Sequence, residues 1–132
     1  MGEYDFRADT TKNRLYIRLS GFFRETDTAE MYEVLERELD KLRHGFDVIL
    51  DMPGLKPGSP AAAEWIQKGA ELIKSRGRRR GVHIANSFLT ALMQFKRMLS
   101  GTFSDDTTRH AKSVQEAERI LDTWDSEVEV GA

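Results

Sequence analysis

The chain has no cysteine, only three prolines, and almost no imbalance between its 20 basic and 22 acidic residues. Each shortage excludes something. Without cysteine there are no disulfides and no thiolate zinc sites, and the chain fits a reducing compartment. A net charge of −2 lacks the basic excess that a dedicated nucleic-acid binder carries, so no nucleic-acid partner is expected. No apolar run approaches the roughly 20 residues that span a bilayer, so no transmembrane segment is expected. The first ten residues, Met1 to Thr10, are polar and charged, unlike a secretory signal. Met1-Gly2 opens as a myristoylation motif does, but Phe6 stands where that motif has Ser or Thr. The expectation is a cytoplasmic chain.

What is present is globular. Charged residues make up 32% and hydrophobic ones 39% of 132 residues, enough to bury one core. Tyr4 to Ala8 and Arg14 to Ser20 alternate apolar and polar around the turn Asp9 to Asn13, which predicts an antiparallel hairpin. Asp27, with Glu30 three residues on, predicts the start of a helix; Met31, Tyr32, Leu35, Leu39 and Leu42 form its inner face and His44-Gly45 its end. Phe46 to Asp51 is a short β-branched and aromatic run, a buried strand. Ser59-Pro60 opens a second helix, with Ala62, Trp65, Ile66, Gly69 and Ile73 inward, and Gly77 ends it. Gly81 to Ala85 is another short strand. A third helix runs from Asn86 or Ser87 to about Leu99. Thr107 to Ala111 is a last strand, and Ser113-Val114-Gln115-Glu116 caps a final helix through Trp124.

This order predicts an α/β domain: a mixed sheet, made of the N-terminal hairpin and then parallel β-α-β crossovers, with about four helices. The spacing leaves no room for a boundary, so residues 1–124 form a single domain and 125–132 a flexible tail.

The segment Leu50-Asp51-Met52-Pro53-Gly54-Leu55, followed by a loop, a helix, Gly77, a basic strand start and a short helix, resembles the STAS domain and the wider SpoIIAA-like (anti-sigma-factor antagonist-like) family. Arg109-His110-Ala111-Lys112-Ser113 to Trp124 looks like the terminal strand and helix of its small bacterial members, so the likeness covers about Arg14 to Trp124. It implies a regulatory, protein-binding module with no catalysis of its own and no cofactor. The family's regulatory members carry a phosphorylated hydroxyl residue at the start of the helix after this strand. An ungapped count puts that position on Pro60 or Ala61, which bear no hydroxyl, with Ser59 one or two places early. The phospho-acceptor site is therefore degenerate.

The residues offer candidate sites with a simpler reading beside each. The loop Gly54 to Ser59 lies where parallel sheets present ligands, and Lys56, Gly58 and Ser59 there would meet an anion at a helix amino terminus; capping alone also explains Ser59. Asp51 ends a central strand, where catalytic acids sit, but the loop behind it brings no second carboxylate or histidine. His44, His83 and His110 show no metal-ligand spacing, so no metal is expected. Lys74, Arg76, Arg78, Arg79 and Arg80 make a basic run, either a patch for acidic partners or head groups, or a solvated loop. The acidic helix with Glu30, Glu33, Glu36, Glu38 and Asp40 is its in-chain counterpart, a pairing that suits self-association. The third helix carries Phe88, Leu89, Leu92, Met93, Phe95, Met98 and Leu99, more apolar surface than one buried stripe needs.

Three function classes follow. The first is an interaction module binding a protein partner or a second copy through Asp51, Lys56, Gly58, Ser59 and the apolar residues Phe88, Leu92 and Phe95. The second is a small lipid or fatty-acid carrier built on the third helix, with peripheral membrane contact. The third is a small enzyme centred on Asp51 and Ser59, for which no base, nucleophile and orienting group assemble.

Overall fold

In the computed structural model, residues 2–52, 60–84 and 107–131 are described. They form an α/β unit with a five-stranded mixed sheet in the order β1-β2-β3-β4-β5 and three helices. The strands are β1 Glu3–Asp9, β2 Arg14–Ser20, β3 Asp47–Asp51, β4 Arg80–Ile84 and β5 Thr108–Ala111; the helices are α1 Glu25–Leu39, α2 Pro60–Ser75 and α3 Val114–Gly131. The expected helix from Asn86 to Leu99 lies outside the described residues.

β1 and β2 pair antiparallel, with Phe6 opposite Ile17, as the alternation predicts. The Asp9 carboxylate accepts from the N–H groups of Thr11 and Lys12, both at 3.0 Å, and folds the turn onto itself. β2, β3, β4 and β5 then run parallel, each beside its predecessor. Because β2-α1-β3-α2-β4 steps in one direction across the sheet, α1 and α2 lie on the same face and pack together. α3 covers the opposite face, over β3 to β5.

Two apolar layers result. On the α1–α2 side, Leu15, Ile17 and Leu19 of β2 and Val48 and Leu50 of β3 meet Met31, Leu35 and Leu39 of α1 and Ile73 of α2. On the α3 side, Ile49, Val82, Ile84 and Ala111 meet Ala117, Leu121 and Trp124. β3 and β4 are buried on both faces, which is why their sequences show apolar runs rather than strict alternation.

The helix ends depart from the sequence expectation in instructive ways. α1 begins two residues before Asp27: Asp27 sits in the first turn, and its carboxylate accepts from the Arg24 N–H at 3.1 Å instead of capping from outside. α1 ends at Leu39, not near His44-Gly45; Asp40 caps it, and Leu42 is only partly buried. Ser113 does cap α3, accepting from the Glu116 N–H at 3.1 Å. The α3 backbone stays helical to Gly131, past Asp125, where the periodicity marks the start of a tail.

On β2, Arg14, Tyr16 and Arg18 share the face opposite Leu15, Ile17 and Leu19, and there Arg14 is buried and Tyr16 half-buried, because α3 returns across that side of the sheet.

Candidate functional site

Asp51 occupies the carboxyl end of β3, in register with Arg18 of β2 and Ile84 of β4. Partial burial raises its carboxyl above the ordinary range, while the nearby Arg18 guanidinium pulls the other way. Of the contact residues that the sequence nominates, it alone is described; Lys56, Gly58, Ser59, Phe88, Leu92 and Phe95 lie outside the described residues. The parallel strands follow one another without a reversal of order, so the described sheet has no topological switch point to open a crevice at this edge. Among the described residues no group of three or more His, Cys, Asp or Glu is placed to hold a metal ion. His83 is buried and stands edge-on to His110 at 5.8 Å, while His44 lies against Gly77.

The basic run is spent inside the chain. Arg76 donates to Asp40 at 2.6 Å, tying α2 to the end of α1. Arg79 grips Asp47 through Nε at 3.3 Å and Nη2 at 3.1 Å, and Arg80 stands 3.9 Å from the same carboxylate. Arg80 and Arg109 flank the Trp124 ring, at 5.1 and 3.9 Å from its centroid. Asp47 is buried, so its charge needs these partners. The arginines thus fasten the amino ends of β3 and β4 and hold the Trp124 ring of α3 against the sheet. Their density in the sequence goes largely into these contacts, with the Arg79 side chain still 49% exposed.

The described residues also form a concavity that the sequence does not announce. Between α1, α2 and the sheet lies an apolar pocket of about 60 Å³, lined by Phe6 of β1, Ile17 and Leu19 of β2, Val48 and Leu50 of β3, and residues of both helices. α1 contributes Thr28, Met31, Tyr32 and Leu35; α2 contributes Trp65, Gly69, Ala70 and Ile73. Most of these are buried, and solvent reaches Phe6, Tyr32 and Trp65. Tyr32 and Trp65 meet edge to face, with centroids 5.7 Å apart, across the seam between the helices. Gly69 sets the helix separation, since a methyl group there would lie 3.3 Å from Leu35 Cδ2. The only sequence signal is a pair of aromatics and a glycine on facing helices, indistinguishable from ordinary core before the helices are placed.

The pocket's surroundings are acidic on the α1 side. Glu30, Glu33 and Glu36 are exposed, and Glu36 lies one helical turn beyond Tyr32. Burial and the neighbouring Glu30 carboxylate raise the Tyr4 phenol, whose ring is 5.3 Å from that of Phe6. On α2, the Lys68 ammonium stands 4.6 Å from the Trp65 ring centroid.

Compared with known proteins, the chain matches no family model, and no curated protein matches it. No helix among the described residues is long and apolar enough to cross a membrane.

Proposed function

We propose that this chain is a non-catalytic regulatory or protein-interaction module of the STAS/SpoIIAA-like type, acting in the cytoplasm, and that its working surface is the α1–α2 face. The observation that carries the reading is the size and character of the pocket there. A cavity of about 60 Å³ is well below the ~150 Å³ that receives a benzene-sized guest. It has room for the tip of one side chain, the kind of anchor that dominates protein interfaces. The order of elements, a hairpin followed by α-β-α-β and a closing strand and helix, fits the resemblance drawn over about Arg14 to Trp124.

The apolar lining also favours a second reading, a carrier of a lipid or fatty acid. Volume argues against it, because an acyl chain needs more space than a benzene-sized cavity gives. An enzyme centred on Asp51 has weaker support still, since one carboxyl with a raised pKa supplies a proton site but no nucleophile or orienting group.

Native mass spectrometry of the purified protein, read beside its denatured spectrum, tests the choice. The interaction-module reading expects the bare chain mass, alone or as a multiple. A companion species of lipid mass, lost on denaturation, would overturn it in favour of the carrier.

A further inference from the structure

The charge around the pocket narrows the chemistry that a partner can bring. α1 carries Glu25, Asp27, Glu30, Glu33, Glu36 and Glu38 against the single base Arg37, a balance of −5 in a chain whose total is −2. α2 is neutral, Glu64 and Glu71 against Lys68 and Lys74. Some α1 acids are engaged within the fold: Asp27 with Arg24, and Glu38 with Lys41 and the Ala8 N–H. Glu33 and Glu36 are exposed, Glu36 within the field of Arg76, and the 100° step of a helix places both on the flank of α1 that turns from Tyr32 toward solvent. An apolar socket whose half-buried rim includes Tyr32 and Trp65 is therefore bordered on one side by a short acidic stripe.

Charge of this sign selects among occupants. An anionic bilayer surface would be repelled by Glu30, Glu33 and Glu36. A second copy of the chain has its densest cationic stretch, Arg76 to Arg80, already turned to Asp40, Thr107 and Asp47. A basic segment of another protein meets neither objection, and electrostatic complementarity would speed its encounter and fix its register.

We propose that the α1–α2 socket receives one aliphatic or aromatic side chain of a basic amphipathic segment on a partner protein, with the segment's lysines or arginines lying along Glu33 and Glu36. This rests on the interaction-module reading and adds to it the chemistry of the partner. The mode is helix-in-groove recognition, in which an apolar anchor supplies affinity and flanking charges supply orientation.

The test uses the full chain and three fluorescein-labelled peptides of about 15 residues, long enough for four helical turns. One pairs a leucine face with lysines, the second replaces every lysine by glutamate, and the third keeps the lysines but replaces every leucine by alanine. Fluorescence anisotropy should show binding of the leucine–lysine peptide, with each of the other two weaker by about tenfold or more, the loss that follows removal of an anchor. Two variants separate socket from charge. Ala70→Leu places added side-chain volume at the lining and should weaken binding by about tenfold. Glu33→Lys with Glu36→Lys changes only exposed positions, so it does not depend on repacking the core; it should weaken binding by a similar factor and flatten its salt dependence.

The proposal is overturned if the glutamate peptide binds as well as the lysine peptide, if the double charge-reversal variant binds unchanged, or if no peptide binds up to about 1 mM, the concentration that marks very weak association. Those outcomes leave the interaction-module reading standing, because that reading fails separately, on a lipid-mass companion in the native spectrum.

Discussion

Arg14 and Asp122, 108 residues apart in the chain, are joined by a hydrogen bond of 2.5 Å from the guanidinium Nη2 to the carboxylate. Arg14 is 7% exposed and Asp122 56%, so the cation is held under α3 while its anion reaches it from the helix surface. Removing the anion leaves a buried charge with the more distant Glu118, 3.9 Å from Nη1, and the neighbouring Tyr16 hydroxyl. Asp122→Asn should therefore lower unfolding stability in urea by about 1 to 2 kcal/mol, less than a fully buried pair would cost because solvent screens one partner. The Arg14 hydrogen bond holds the Asp122 carboxyl below its ordinary range. A lowered folded-state pKa gives stability that is present above the unfolded value, about 3.9, and is lost as pH falls through the folded one. The gap between wild type and Asp122→Asn should thus close below about pH 4.

Tyr16 supplies the second attachment of the same helix. Its phenol donates to Glu118 from within the β2 face, and Arg7 stands 4.3 Å over its ring. Burial first, and the Glu118 carboxylate second, push its pKa up to about 12. Here the folded state keeps a proton that the unfolded chain releases near pH 10, so stability falls as pH rises from about 10 toward 12. Absorbance titration at the tyrosinate band should show a last-ionising tyrosine, later than the also raised Tyr4, and that last step should be absent in Tyr16→Phe. Glu118→Gln should bring that ionisation earlier without returning it to an ordinary value, because burial remains. Tyr16→Phe should also cost about 1 kcal/mol near neutrality, the worth of one hydrogen bond to a charged acceptor in a partly exposed setting.

These two contacts mark the limit of what the sequence makes legible. β2 alternates so cleanly that its two faces are obvious, but alternation cannot say whether the polar face meets water or a helix. Arg14 and Tyr16 look solvated until α3, more than 90 residues later, is laid over them. The hairpin, the buried β3 and β4, β5 and the Ser113 cap follow from local chemistry, and the structure has them within one or two residues. The start of α1 is harder to place, because an acid in the first turn and an acid at the cap carry the same letter. The socket is illegible for a different reason: it is a property of the distance between two helices, set at Gly69 and Leu35. The basic run shows the converse, a loud sequence signal whose arginines serve Asp40 and Asp47 inside the fold.

Two glycines with left-handed backbones offer a matched test of that local chemistry. Gly45 has φ +89 and Gly77 φ +94, and the two are linked by a 2.8 Å hydrogen bond from the Gly45 N–H to the Gly77 carbonyl. A methyl group at Gly45 meets nothing within 4 Å, whereas at Gly77 it falls 2.2 Å from His44 Cδ2. Gly45→Ala should cost about 1 kcal/mol, the strain of a left-handed alanine alone. Gly77→Ala adds the displacement of the His44 ring and should cost about 2 kcal/mol or more. Thermal melts of the two variants would show it. Equal losses would mean that the His44 ring moves aside freely.

Asp51 yields the prediction that bears on function. Burial raises its pKa, so at neutral pH the folded state carries a charge that it holds less comfortably than the unfolded chain does. A raised carboxyl means that the folded state binds the proton more tightly. Stability therefore declines as pH rises from the unfolded value, about 3.9, through the folded one, and the full cost persists at neutrality. Asp51→Asn removes that cost and should raise the melting temperature at pH 7, with the gain vanishing below about pH 4. The nearby Arg18 guanidinium lessens that cost, so Asp51→Asn made in an Arg18→Gln background should raise the melting temperature above that background by more than it does above wild type at neutral pH. A protein made more stable by losing a strand-end carboxylate is one in which that carboxylate serves something other than folding. If the substitution lowers the melting temperature instead, Asp51 is a structural group fastening the end of β3, and it is no longer a candidate contact residue.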